Sequence, residues 1–95
     1  MPRYAGRRDA THAEIRNALR AAGWSVYDAG GVGGSFPDLV VGAAGLTFLV
    51  ECKTGRGRLS EGQLEFARLW RGGPVVIARS AEDALAAIAD RIKDR

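Results

Sequence analysis

A chain of 95 residues is the size of one domain, and at 46% hydrophobic it can build a core while leaving much of its surface in water. No apolar run approaches the roughly 20 residues that cross a bilayer, and no apolar segment follows Met1-Pro2-Arg3-Tyr4, so a soluble, cytoplasmic protein without a signal peptide is expected. The net charge is +3, with Arg3, Arg7, Arg8, Arg16 and Arg20 crowded at one end and Arg56, Arg58, Arg68 and Arg71 in a second group, a balance that suits a polyanion or a plain solvated surface.

Residues 1–10 are basic and without hydrophobic periodicity, and are read as a mobile arm ahead of a single folded domain, 11–95. Thr11 to Ala22 reads as a helix capped by Thr11, with Ile15, Ala18, Leu19 and Ala22 on one stripe and Gly23 as its stop. Trp24 to Asp28 is a short strand candidate. The stretch Gly30-Gly31-Val32-Gly33-Gly34 that follows has neither the Gly-Lys-Ser/Thr of a P-loop nor a GxGxxG pattern, so no organic cofactor is expected. Asp38 to Ala43 and Leu46 to Lys53 are β-rich and separated by Ala44-Gly45, the pattern of a hairpin. Ser60 caps a helix whose stripe is Leu59, Gln63, Phe66, Ala67 and Trp70, and Gly72-Gly73 stops it. Pro74 to Ala78 is an apolar run of buried-strand length, and Ser80 caps a last helix with Leu85, Ile88, Ala89 and Ile92 inward. The order α-β-β-β-α-β-α implies an α/β fold with a mixed sheet flanked by helices: the hairpin is antiparallel and the helical crossover favours a parallel neighbour.

The chemistry concentrates in two places, Pro37-Asp38 and, thirteen positions after Asp38, Glu51-Cys52-Lys53. Strand side chains alternate, so Phe48, Val50 and Cys52 share one face while Leu49, Glu51 and Lys53 share the other. A hairpin brings Asp38 near Glu51, and two carboxylates brought together repel unless a cation joins them; Mg²⁺ prefers such hard oxygen ligands. A Glu-x-Lys pair alone would look the same as a cross-strand ion pair on a solvated face. Here it ends an otherwise apolar strand, its partner acid follows a proline, and basic groups flank it.

The run Ser35-Phe36-Pro37-Asp38-Leu39-Val40-Val41, then Phe48-Leu49-Val50-Glu51-Cys52-Lys53, resembles the core of the PD-(D/E)XK nucleases, a restriction-endonuclease-like fold. The continuations Gly57-Arg58-Leu59-Ser60-Glu61-Gly62-Gln63 and Val75-Val76-Ile77-Ala78-Arg79-Ser80-Ala81-Glu82-Asp83 are similar to its VRR-NUC group in the small stand-alone form of bacteria and phages, as is Glu14-Ile15 in a first helix ending at Gly23. The resemblance implies that Asp38 and Glu51 bind Mg²⁺ or Mn²⁺ with the backbone carbonyl of Cys52, that Lys53 contacts the scissile phosphate or the attacking water, and that Gln63 orients one of these. It also implies that Glu14 reaches the metal directly or through water, and that cleavage leaves a 5′-phosphate. A bound metal would lower the pKa of its water, and we read Lys53 as stabilising charge on phosphorus rather than taking a proton. Such small nucleases and the similar Holliday-junction resolvases act as homodimers, so a homodimer on branched DNA is expected, with Arg7, Arg8, Gly33, Gly34, Ser35, Arg56 and Arg58 against the nucleic acid.

Other readings compete at single residues. Glu14 lies three after Thr11 and Gln63 three after Ser60, and both fit a capping box; a side chain folded onto its own cap is not aimed at a metal. His12 is the only histidine and is read as a helix-start residue, Cys52 as core packing, and Trp24 and Trp70 as core filling. One Cys and one His do not supply a structural zinc site of the usual kind. At the level of the whole chain, a non-catalytic nucleic-acid-binding module that keeps the fold is the alternative, and a restriction-type enzyme lacks residues left over to read bases.

Overall fold

Ile15 and Leu19 stand four apart on a helix, which stacks them on one face, and both are fully buried. In the computed structural model, which describes residues 3–94 and their side chains from Ala10 onward, that helix is α1 (Arg3–Ala21). It is followed by β1 (Ser25–Asp28), β2 (Leu39–Ala43), β3 (Leu46–Cys52), α2 (Glu61–Leu69), β4 (Val75–Ala78) and α3 (Ala81–Lys93). The strands form one sheet in the order β1-β2-β3-β4, antiparallel at the first two junctions and parallel at the third. The fold is therefore α/β, with a four-stranded mixed sheet and three helices. Among the described residues no helix is long and apolar enough to cross a membrane.

Alternation sorts the sheet's two faces. Leu39, Val41, Phe48, Val50, Val76 and Ala78 point to the face covered by α1 and α3, where they meet Ile15, Leu19, Ala84 and Ile88. Each large side chain buried there contributes about 1.5–3 kcal/mol. The opposite face carries Leu49 and Glu51, both also buried, and it looks toward α2, whose Gln63 bonds to Glu51. The β2–β3 turn holds Ala44 at φ 54° and Gly45 at φ 80°, the left-handed pair of a type I′ hairpin whose twist matches that of its strands. Gly73 is required for a different reason: a Cβ there would collide with the carbonyl oxygen of Thr47 at the start of β3.

Three sequence expectations are corrected. The first helix begins at Arg3, eight residues ahead of Thr11, so Thr11 is not its cap. Met1, Pro2 and Arg95 lie outside the described residues. On α3 it is Ala84 that is buried with Ile88, while Ala89 is exposed. Trp24 packs against the core, but Trp70 is 40% exposed and stacks on Phe66 instead.

Candidate metal and phosphate site

Asp38 immediately precedes β2, and the pairing of Leu39 with Val50 sets it opposite Glu51 one step further along. Buried Pro37 fixes the chain on its other side. The Asp38 carbonyl accepts the Ala29 N–H at 2.7 Å, and its carboxylate Oδ2 accepts the Cys52 N–H at 2.8 Å. On the other flank of β3, Lys53 N–H donates to the Ala78 carbonyl, so Ala78 is the residue bonding across the parallel ladder and the Cys52 peptide groups turn toward β2. A residue in an extended strand points its N–H and C=O the same way. The Cys52 carbonyl thus lies on the Asp38 side.

Glu51 is only 5% exposed. Its Oε2 accepts a hydrogen bond from Gln63 Nε2 at 3.1 Å and lies 3.9 Å from the Lys53 ammonium. Gln63 meanwhile closes the capping box of α2: its Oε1 accepts the Ser60 N–H at 2.9 Å, and its own N–H donates to Ser60 Oγ at 3.1 Å. Capping and contact with the acid, expected to exclude one another, coexist because the amide has an acceptor end for the cap and a donor end for Glu51.

The structure also gathers residues the sequence reading set aside. His12 Nε2 lies 3.1 Å from Asp28 Oδ2, and Arg16 reaches the same oxygen at 3.3 Å. His12, Asp38 and the Cys52 thiol each bring one ligand atom within 4.8 Å of the other two. Burial pushes the Cys52 thiol up to about 12, with the charges of Asp38, Glu51 and Asp28 adding to the effect. Nothing in the sequence spacing links His12 and Asp28 to Cys52; the antiparallel β1–β2 pairing and the pitch of α1 do so.

Other expected site residues fall elsewhere. Glu14 is exposed; two residues along a helix is a rotation of about 200°, so with His12 turned to the sheet Glu14 is turned away from it. It lies within α1, which removes the capping-box reading with Thr11 as well. Gly33, Gly34 and Ser35 all have positive φ (80°, 61° and 66°), with Phe36 N–H donating to the Gly33 carbonyl. This turn sits on the start of α2, where a Cβ on Gly62 would collide with Ser35 Oγ, and Phe36 meets Phe66 edge-on at 5.4 Å. Arg56 and Arg58 are exposed on the loop after β3. Arg79, without an assigned role in the sequence pattern, pins that loop by donating from Nη1 to the Gly55 and Gly57 carbonyls at 2.8 and 2.7 Å. The side chains of Arg7 and Arg8 lie outside the described residues.

A carboxylate on β3 and one just ahead of β2, with a strand carbonyl turned toward the latter, form a hard-oxygen donor set that fits Mg²⁺ or Mn²⁺. No family model matches the chain, and a comparison with curated proteins finds no match.

Proposed function

We propose that the chain is a divalent-metal-dependent nuclease that hydrolyses DNA phosphodiester bonds, acting at branched structures and as a homodimer. The observation that carries this reading is Glu51, a buried carboxylate at the end of an apolar strand, flanked by Lys53, tied to Gln63 and set opposite Asp38. Burying a carboxylate costs several kcal/mol unless its surroundings compensate, and Gln63 and Lys53 stand against this one. A PD-(D/E)XK nuclease of the VRR-NUC kind would place its acids and lysine in this way.

In this reading Asp38, Glu51 and the Cys52 carbonyl hold Mg²⁺ or Mn²⁺, which when bound polarises a phosphoryl oxygen and supplies a water nucleophile near neutral pH. Lys53 offers its ammonium to the charge that develops on phosphorus. Gln63 is a positioning residue: its amide, anchored on the Ser60 N–H, holds the Glu51 carboxylate from the α2 side. The Cys52 N–H does the same for Asp38 from within the strand. Arg56 and Arg58 lie exposed on the loop that follows the catalytic strand, where a phosphate backbone can be neutralised.

The test is to incubate the protein with Mg²⁺ and labelled duplex, flap, splayed-arm and four-way-junction DNA. Wild type is expected to cleave, and Glu51→Gln and Lys53→Ala to lose at least about 10²–10³-fold in rate, with DNA binding and melting temperature nearly unchanged. Asp38→Asn, which retains an acceptor for the Cys52 N–H, is expected to lose the calorimetric Mn²⁺ signal. Cleavage by either of the first two variants at close to the wild-type rate would sink the assignment.

A further inference from the structure

The nuclease reading uses the Glu51 side of Asp38. On the α1 side, two more ligand-bearing groups meet the same carboxylate and have no part in that chemistry. His12 comes from α1, Asp38 from the β1–β2 connection and Cys52 from the end of β3, and their ligand atoms lie within 4.8 Å of one another with each residue half-buried. We propose that His12, Asp38 and the Cys52 thiol bind one borderline transition-metal ion, such as Zn²⁺, in a site whose donors differ from the hard-oxygen pair Asp38 and Glu51.

The donor set decides the kind of ion. Imidazole, thiolate and a single carboxylate suit Zn²⁺ or Co²⁺ and are poor ligands for Mg²⁺. Zinc bonds of about 2.0–2.3 Å put tetrahedral ligands roughly 3.3–3.8 Å apart, so from within 4.8 Å the three side chains need close in by at most about 1–1.5 Å. Three protein ligands leave a fourth position for water, the pattern of open rather than structural sites. This is why a chain with one Cys and one His can hold such an ion without the four ligands of a structural zinc site.

Each ligand is already oriented. In the proposed site the ring binds through Nδ1, and Asp28 Oδ2, 3.1 Å from Nε2, braces the far nitrogen as one of the usual partners of a metal-bound histidine. Asp28 is itself fixed by the Gly30 N–H at 3.1 Å and by Arg16. Asp38 Oδ2 accepts the Cys52 N–H, which leaves Oδ1 for the ion. When the ion binds, the Cys52 S–H bond breaks, a sulfur–metal bond forms and the proton passes to solvent; no electron is transferred.

Titration with Co²⁺, followed by absorption, tests this without any cleavage assay, so the result stands apart from the nuclease reading. Wild type is expected to bind one Co²⁺ per chain, with tetrahedral visible bands and a near-ultraviolet thiolate-to-cobalt band, both abolished by one equivalent of Zn²⁺. Cys52→Ala should lose the near-ultraviolet band. His12→Ala should bind at least about tenfold more weakly, and Asp28→Asn about 10–100-fold more weakly. Glu51→Gln, which removes the hard-cation pair, should keep the band. Absence of the thiolate band in saturated wild type, unchanged affinity in His12→Ala, or loss of the band in Glu51→Gln each overturns the proposal. Circular dichroism identifies a variant that has not folded, and the wild-type spectrum and the His12 variant decide the matter without Cys52→Ala.

Discussion

Asp28 serves three partners with one carboxylate: the Gly30 N–H on Oδ1, and His12 and Arg16 on Oδ2. The Gly30 N–H above all, then His12 and Arg16, hold its carboxyl below the ordinary carboxylate range against the opposing pull of burial. With a depressed folded value, the unfolded chain takes up the proton first as pH falls. The contribution of Asp28 to stability is therefore full above the ordinary carboxylate range and is lost as pH falls through its lowered value. Asp28→Asn keeps the shape and removes the charge. It is expected to melt below wild type at neutral pH, with the gap closing as pH falls through that lowered value; a gap that persists unchanged in acid would assign the effect to shape. The contacts with His12 and Arg16 were not legible in the sequence, because these residues lie sixteen and twelve positions from Asp28 and only the fold makes them neighbours. Gln63 was half legible: the Ser60 to Gln63 spacing announces a cap, but that one amide also reaches Glu51 depends on where α2 lies over the sheet.

Among the elements, the β2–β3 hairpin sets the position of the acids, since its register determines what stands opposite Glu51. Its turn uses Ala44 at positive φ, where an L-residue with a Cβ is disfavoured and Asn is tolerated. Ala44→Asn is expected to stabilise the protein by about 0.5–1 kcal/mol, a rise of roughly 2–8 °C in melting temperature for a domain of this size. An unchanged or lower Tm would mean that the alanine makes a contact worth more than the strain. The hairpin could be read from Ala44-Gly45 and the faces of β3 from strict alternation, because both are local rules. The start of α1 could not. Arg3 to Ala10 offers no apolar stripe to mark a helix, and the periodicity begins only where Ile15 and Leu19 reach the core.

At the scale of the whole molecule, extents of 42 × 30 × 22 Å leave room for one site and a short basic surface. A linear duplex presents equivalent phosphates everywhere, so a single such site would bind it weakly and without preference. Two sites at a fixed separation in a two-fold dimer match the symmetry-related strands of a four-way junction, and joint engagement raises avidity by roughly 10²–10⁴. Sedimentation is accordingly expected to give a dimer, and cleavage at physiological salt to favour the junction over duplex. A monomer that nicks plain duplex as fast as a junction would remove the dimer and the preference together, and leave the proposed metal chemistry of Asp38, Glu51 and Lys53 to stand alone. The sequence pointed to those three residues because alternation and hairpin pairing are enough to bring them together. His12 escaped it because helix phase relative to a sheet is set by packing, and packing put His12, not Glu14, against the strands.

Helix α2 contains no buried residue, and its ties to the rest of the chain include Gln63 to Glu51, Phe66 to Phe36 and the close approach of Gly62 to Ser35. An element held by so little apolar burial opens at a free energy well below that of global unfolding. Opening α2 also withdraws the amide that braces Glu51. The competence of the site is then a population governed by a local equilibrium. Warming would deplete it while the sheet is still intact, and a bound polyanion that contacts α2 would restore it by mass action.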